Sequence, residues 1–428
     1  MKYQTPKGTR DFLPEEMELR RGVINTLVSM YYLYGFREWD GPAFEYLDTL
    51  VAKSGELVVD EIYAFKDRGG RNLGLRFELT TSLARIIAGN SQIKKPLRVF
   101  NIGKVWRYER PQAGRFREFL QADTDIFGST SMLCEVDLLT MAAATLKKLK
   151  IVNSVILLNN RKILEALLRS VGIKDNYKAG ALRSLDKLAK IGREEVKREF
   201  ETQKISTEQF ENLMNQINIV GDNRAKLDQI SQFLIDDNAG MEGIEELRQI
   251  IGLLDKSGLD TPIQVDFSLV RGLDYYTGPI FEIKSTDQKE LGSFAGGGRY
   301  DQLVQVLGGQ TTPAVGISFG IERLIEIIKK REGYFDILSP VEVFICYQTP
   351  DVLPIVLNAA KKFREAGITT EFDLTGRNLS KQLAYASTIN AKYSFIVFSA
   401  GEQKLKEMAT QKEDVMDVSS AISKITSK

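Results

Sequence analysis

The apolar positions of this chain fall into stretches of different period, and the changes of period mark its elements. Between Glu15 and Tyr34 the residues Leu19, Val23, Leu27, Met30, Tyr31 and Tyr34 recur every three or four positions, which predicts an amphipathic helix with Pro14 before it and Gly35 at its end. Leu97 to Glu109 and Phe116 to Phe127 read as strands instead. The loop between them, Arg110 to Arg115, holds Pro111 and Gly114, so the two predict a hairpin. A further strand is expected from Ile263 to Arg271, with Pro279 to Lys284 as its partner across a glycine-bearing turn.

From about Asn160 to Lys256 the texture changes. Charges become dense and mixed, glycine thins out, and helical groupings such as Ile163, Leu164, Leu167 and Leu168 dominate. After Ile328 a charged linker leads to alternating strand and helix: Val341 to Cys346, Ile355 to Ala366, Thr369 to Phe372, Leu379 to Thr388 and Tyr393 to Ser399. That alternation predicts a small α/β domain with a sheet at its core. The expected organisation is a discontinuous first domain, residues 1–159 and 257–330, interrupted by a helical insertion at 160–256 and followed by a C-terminal domain at 335–428.

Composition narrows the function classes. The chain has 428 residues, 43% hydrophobic and 27% charged, as a soluble folded protein of several domains would. Its two cysteines, Cys134 and Cys346, are far apart and form no Cys-x-x-Cys pair, so neither a zinc knuckle nor a disulfide framework is supported. The start, MKYQTPKGTRDF, lacks an apolar signal region, and no apolar run approaches the ~20 residues of a membrane span. The cytoplasm is the expected compartment and no membrane partner is expected. The formal net charge is +1, so any nucleic-acid site must be a local patch. There is no histidine at all, which excludes Ser-His-Asp and Cys-His catalysis and every metal site built on His. The chemistry must run on carboxylates, arginines, backbone amides or the substrate's own groups.

Candidate chemistry concentrates in four stretches. In Arg107-Tyr108-Glu109-Arg110-Pro111-Gln112-Ala113-Gly114-Arg115-Phe116-Arg117-Glu118-Phe119, period two puts Arg107 with Glu109 on one face. Arg117, Phe119, Gln121 and Asp125 share a face in the same way, while Phe116, Leu120, Ala122 and Ile126 form a mostly apolar one. A solvated sheet face would also look like this. Three arginines beside an aromatic ring, however, fit a triphosphate with its base stacked above. Leu269-Val270-Arg271-Gly272-Leu273-Asp274-Tyr275-Tyr276-Thr277-Gly278 packs an arginine, an aspartate and two tyrosines into a turn where generic polar residues would serve. Gly296-Gly297-Gly298-Arg299-Tyr300-Asp301 would let backbone approach a ligand closely. Gly316-Ile317-Ser318-Phe319-Gly320-Ile321-Glu322-Arg323 reads as a glycine-bearing strand running into a helix that carries an arginine at its start. Neither a P-loop nor a Rossmann fingerprint is present.

Taken together these stretches resemble class II aminoacyl-tRNA synthetases, whose three motifs look like the helix and strand ending near Pro42, Arg107-Tyr108-Glu109 with Arg115 and Phe119, and Gly320-Ile321-Glu322-Arg323. LVRGLDYYTG, GGGRYD and the opening KGTRDFLP are similar to the signatures of the histidine-specific family within that class. The resemblance implies a mixed α+β catalytic core on an antiparallel sheet, a helical insertion and a C-terminal α/β anticodon-binding domain. It implies a histidine–tRNA ligase that activates L-histidine with ATP to histidyl-adenylate and transfers it to the 3′ end of tRNA(His), working as a homodimer with Mg2+ on the triphosphate.

The resemblance also carries residue roles. Arg107 and Arg271 would flank the α-phosphate as the catalytic pair, and Arg115 and Arg323 would hold the γ-phosphate. Glu109 and Phe119 would receive adenine. Glu78, Thr80 and Gln121 would bind the α-ammonium of histidine, and Asp125 and Tyr276, with Tyr275 close by, the imidazole. Arg110 and Gln112 would meet the acceptor end of the tRNA, and Arg377, Asn378, Lys381 and Gln382 its anticodon. Many bacterial relatives carry glutamate at the position of Asp125 and histidine at that of Leu120; Asp125 is similar to the archaeal and eukaryotic branch. The rival implied by the same core is a non-catalytic paralogue such as the regulatory subunit of ATP phosphoribosyltransferase, which generally lacks the C-terminal domain.

Overall fold

A computed structural model describes residues 3–52, 59–108, 116–272, 275–330 and 341–427. Of these, residues 3–12 with 20–330 form one compact unit, and 13–19 with 341–427 a second.

The first helix runs from Pro14 to Leu33. Leu19, Val23, Leu27, Met30 and Tyr31 on its apolar stripe are all buried, each worth roughly 1.5–3 kcal/mol for a large side chain. Gly35 ends it with a left-handed φ of +78°, which lets the amides of Tyr34, Gly35 and Phe36 reach back to carbonyls of the last turn. The strands of the first unit are β1 (Arg37–Glu38), β2 (Phe44–Tyr46), β3 (Ala64–Lys66), β4 (Asn72–Leu75), β5 (Leu97–Trp106), β6 (Glu118–Phe127), β7 (Ser154–Asn160), β8 (Ile263–Val265), β9 (Pro279–Ser285), β10 (Ser293–Arg299) and β11 (Ala314–Gly320). Eight of them make one sheet in the order β1-β5-β6-β11-β10-β9-β7-β8, antiparallel except for the parallel pairs β1–β5 and β7–β8. The small sheet β2-β4-β3 stands apart from it.

The hairpin of β5 and β6 forms in the register Leu97 opposite Phe127 to Trp106 opposite Glu118. The second expected pairing does not form. β8 ends at Val265 and lies parallel to β7, and β7 stands between it and β9. Beyond Val265 the side chain of Asp266 accepts the amide and hydroxyl of Ser268, a turn that lifts the chain off the sheet, and Arg271 sits at a φ of +62°.

Between β7 and β8 the chain builds seven helices: Arg161–Ser170, Asp175–Asp186, Leu188–Ile191, Arg193–Thr202, Thr207–Ile217, Asn223–Phe233 and Asn238–Lys256. Four of these starts are capped, by Asn160, Asp222 and Asp237 and by a Ser206/Gln209 capping box. Phe200 and Phe210 pack edge to face at 5.1 Å in an apolar interior shared with Val196 and Leu213.

The second unit holds the sheet β13-β12-β14-β15-β16, made of β12 (Val343–Tyr347), β13 (Thr370–Phe372), β14 (Tyr393–Val397), β15 (Gln403–Glu407) and β16 (Glu413–Val415). Period two divides β12 between two cores: Val343, Ile345 and Tyr347 meet the helices Leu353–Glu365 and Val418–Thr426, while Phe344 and Cys346 meet the helix Leu379–Thr388.

Candidate active site

The site lies on one face of β6, where alternate residues Phe119, Gln121, Asp123 and Asp125 line up. Its neighbours leave room for them. Gly103 on β5 stands opposite Gln121, and Gly316 on β11 stands opposite Asp125. A Cβ on Gly316 would lie 2.1 Å from Asp125 Oδ1. Asp125 is 2% exposed; its Oδ1 accepts from the Tyr300 hydroxyl and its Oδ2 has no partner. Burial, with Asp123 close by, pushes its pKa well above the usual carboxylate range.

Glu78 is buried at the start of the helix Thr80–Gly89. Its two oxygens accept the amides of Thr80 at 2.6 Å and Thr81 at 2.8 Å, so the first free N–H groups of the helix fix the carboxylate in place. The Thr80 hydroxyl in turn hydrogen-bonds Tyr275. Tyr275 and Tyr276 are buried with ring centroids 4.8 Å apart, and Tyr275 lies 5.5 Å from Tyr300. Glu78, Thr80, Tyr275, Tyr300 and Asp125 thus form one connected cluster.

Arg271 enters from the turn after β8. Its Nη1 donates to Glu282 Oε1 at 3.1 Å, it hydrogen-bonds the Tyr276 hydroxyl, and its Nε has no partner. Burial opposes its charge, but Tyr276 and Glu282 outweigh that and hold its pKa above arginine's usual value. A non-glycine residue at positive φ is strained by roughly 1–2 kcal/mol. Arg107 lies just past the end of β5; its Nε donates to the Phe77 carbonyl at 2.9 Å and its guanidinium sits 5.3 Å from the Phe119 ring centroid. Arg323, in the first turn of the helix Ile321–Lys329, donates to the Ser293 carbonyl. Glu109, Arg110, Gln112 and Arg115 lie outside the described residues.

The three glycines of β10 have a use other than the one the sequence indicated. A Cβ on Gly296 would come within 2.3 Å of Arg271 Nη1, one on Gly298 within 2.9 Å of the Tyr276 ring, and one on Gly297 within 1.9 Å of the Gly316 carbonyl. The room they leave is taken by the chain's own site residues and by its neighbouring strand. Next to them Arg299 grips Glu135 through two buried hydrogen bonds of 2.6 and 2.8 Å, a structural pair.

In the second unit, Arg377 donates to Asp373 at 2.6 Å and covers the Tyr385 ring at 4.0 Å. Asn378 caps the helix Leu379–Thr388 by accepting the Lys381 amide, and Lys381 itself is exposed. Gln382 is fully buried. It accepts the Tyr347 amide and donates to the Tyr347 and Arg377 carbonyls, so it is a structural brace rather than the exposed RNA contact it looked like.

A family profile described as Histidyl-tRNA synthetase matches residues 8–324, and one described as Anticodon binding domain matches 342–428. The chain belongs to the histidyl-tRNA synthetase family. Curated histidine–tRNA ligases of Porphyromonas gingivalis and Pyrococcus abyssi are each 34% identical to it; the first match covers 98% of both chains, the second 91% of this chain and 90% of the relative. The solved structure of the histidyl-tRNA synthetase from Nostoc superposes with a TM-score of 0.85 at 28% identity, over 99% of each chain. A protein from Bacillus halodurans described as an ATP phosphoribosyltransferase regulatory subunit/histidyl-tRNA synthetase shares the fold at 21% identity, with a TM-score of 0.77 over 93% of this chain and 98% of that one. Histidyl-tRNA synthetases are aminoacyl-tRNA ligases that consume ATP, and the mixed sheet with its helices and C-terminal domain is the class II synthetase fold.

Four residues about the site were given no role of their own from the sequence: Asp123 and Glu282, and Ser318 and Tyr300, which lie within two of the candidate stretches. For the first the signal was present, because the period-two row through Phe119, Gln121 and Asp125 also passes through Asp123. Ser318 and Glu282 enter only through strand register, Ser318 opposite Asp123 and Glu282 opposite Gly296.

Proposed function

We propose that this chain activates L-histidine with ATP and transfers it to tRNA(His), with the β6 cluster as the histidine pocket. The observation that carries this is a row of buried, unpartnered acceptors on Gln121, Asp123 and Asp125, together with a constrained arginine at position 271. Imidazole offers one donor and one acceptor, and a buried polar pocket rejects analogues lacking them by ~10⁴–10⁵. Asp125 Oδ2 receives a ring N–H, Tyr276 with Tyr275 faces the ring, and Glu78, Thr80 and Gln121 hold the α-ammonium.

A carboxylate oxygen of histidine attacks the α-phosphorus, and the bond to pyrophosphate breaks. Arg107 and Arg271 stabilise the negative charge that develops there, fixed before reaction by Phe77 and Glu282. Phe119 stacks on adenine, Glu109 meets its amino group, and Arg115 and Arg323 hold the γ-phosphate. The triphosphate brings Mg2+ with it as part of the substrate; no step is assigned to a metal bound by this chain. In the second step the terminal ribose hydroxyl of the tRNA attacks the histidyl carbonyl, the bond to AMP breaks, and the proton passes to a phosphate oxygen of the adenylate.

Arg110 and Gln112 lie at the acceptor end, and Arg377, Asn378 and Lys381 at the anticodon. The second unit acts as the anticodon-binding domain, and residues 160–256 as an insertion into a catalytic domain formed by 1–159 and 257–330. That partition is supported by β7 and β8, neighbours in one sheet with the helices between them in the chain. Two copies associate about a two-fold axis. Phe44, Tyr46 and Phe65 on the small sheet are 50%, 54% and 43% exposed, an apolar surface suited to cover by a second copy. No described helix is long and apolar enough to cross a membrane, and the work is assigned to the cytoplasm.

The test is exchange of labelled pyrophosphate into ATP with each of the twenty amino acids. Exchange with histidine alone supports the reading. Exchange with another amino acid overturns the pocket assignment, and folded protein that exchanges with none belongs with the non-catalytic paralogues.

A further inference from the structure

Three oxygens on the face of β6 have no hydrogen-bond partner: Gln121 Oε1, Asp123 Oδ1 and Asp125 Oδ2. The proposed reaction uses the first and the third. Asp123 is left over, 3% exposed and buried among groups that would normally satisfy a carboxylate. Those groups are engaged elsewhere. Arg76 donates to the carbonyls of Lys104 and Gly41, Arg107 Nε to Phe77, and Asn101 Nδ2 to Trp39. The Tyr31 hydroxyl, reaching in from the first helix, donates to the Ala122 carbonyl.

One neighbour does bind it. The Ser318 hydroxyl, across from Asp123 on β11, hydrogen-bonds its carboxyl and accepts from Gln121 Nε2 at 3.1 Å. A single serine therefore orients both side chains and leaves one oxygen on each unsatisfied. An unmade hydrogen bond on a buried acceptor is costly, and two such acceptors linked through one hydroxyl call for a ligand with several donors on one atom. An ammonium has three.

We propose that Asp123 is a further substrate-binding residue of this site, its free oxygen accepting a hydrogen bond from the α-ammonium of histidine alongside Gln121 and Glu78. This rests on the histidine reading above and adds a residue to it. The charged and titratable groups that face Asp123 are Glu78, Asp125, Arg76, Arg107, Tyr31 and Tyr275. Burial is the largest influence among them, and with Glu78 it pushes the carboxyl up to about 7. The ammonium favours the ionised form, so affinity for an amine-bearing ligand rises as pH rises through that value.

Two competitive ligands separate this contact from the rest of the pocket. Histidinol keeps the amine and the ring, whereas imidazolepropionate keeps the ring and lacks the amine. Inhibition of histidine-dependent pyrophosphate exchange by each is measured from pH 6 to 8.5 with wild type and Asp123→Asn. For wild type the ratio of the two affinities shifts toward histidinol as pH rises through about 7. In D123N that pH dependence disappears, and histidinol weakens by about 10–100-fold, the size of a charge-assisted hydrogen bond, while imidazolepropionate changes little. Equal weakening of both ligands, or a histidinol loss under about twofold, makes Asp123 structural and overturns the proposal. If D123N does not fold, the wild-type comparison decides alone, since a ratio flat across the pH range also overturns it. Absence of histidine-dependent exchange by wild type is a different failure, that of the underlying function.

Discussion

The two units treat buried polar side chains in opposite ways. In the C-terminal unit, Asp373 accepts the amides of Thr375 and Arg377, the Thr375 hydroxyl and Arg377 Nε, and these bonds hold its pKa below the usual carboxylate value against the opposing effect of burial. Gln382 is matched on both its oxygen and its nitrogen. Among the described residues of that unit no buried side-chain nitrogen or oxygen lacks a partner. On β6 the same kinds of group are left incomplete, and burial drives the pKa values of Asp123 and Asp125 upward. Polar groups that the chain completes by itself hold a fold together; three open acceptors gathered in one row of β6 are suited to a ligand.

The largest effect that would sharpen this contrast comes from Arg271. Arg271→Lys keeps a cation for Glu282 but loses the planar fork and the free Nε. Turnover in histidine-dependent exchange is expected to fall by about 10²–10³, the size of losing one preorganised donor to a developing charge. Turnover within tenfold of wild type would remove Arg271 from the chemistry.

Next come two glutamines with opposite expected behaviour. Gln382→Leu strands the Tyr347 amide and carbonyl, at about 1–3 kcal/mol for each buried group left unmatched. It should lower the melting temperature by calorimetry and leave the KM for histidine unchanged below the transition. Gln121→Leu should raise that KM about tenfold or more with little change in melting. If both variants shifted the same observable, the distinction between fold-completing and ligand-reserving groups would fail here.

A smaller effect is expected at Gly316. Gly316→Ala places a Cβ 2.1 Å from Asp125 Oδ1 and 3.1 Å from the Thr124 carbonyl, so the carboxylate must move off its present position. The KM for histidine should rise several-fold while the KM for ATP holds. A parallel rise in both would point to general distortion of β11.

These sites were unequally legible in the sequence. Periodicity placed the helix Leu379–Thr388 to the residue and the β5–β6 hairpin to within a few. It missed β15, β16 and the last helix, since β15 reads Gln-Lys-Leu-Lys-Glu and buries Leu405 alone. It also carried the strand at Ile263 on to Arg271 and paired it with β9. Apolar residues in that stretch are buried by a turn, and a left-handed arginine leaves no trace in hydrophobic pattern. The residues proposed for the site were named on the family signatures that they carry. Asp123 could not be separated from a strand's polar face, because what distinguishes it is an oxygen without a partner, a property of three packed strands.

The smallest effect is on stability against pH, and its sign differs between the two units. Asp123 has a folded-state pKa raised to about 7, above its unfolded value. Its folded form therefore binds the extra proton between roughly pH 4 and 7, and it loses stability as pH rises through that window, reaching a plateau above it. Asn at this position is neutral throughout. The ligand-free D123N protein should match wild type below about pH 4 and melt a few degrees higher near pH 8, with the gap opening across the window. Asp373 is the reverse case. Its depressed pKa supplies stability that is fully present above the unfolded value and is lost as pH falls through the folded one. Asp373→Asn should therefore melt below wild type at neutral pH, with a gap that closes only on acidification below about pH 4. Calorimetric scans of the three proteins from pH 3 to 8 read both gaps together. A D123N gap that stays flat between pH 5 and 8 would mean that the β6 face holds Asp123 as comfortably as the C-terminal unit holds Asp373, and the contrast between the two units would rest on geometry alone.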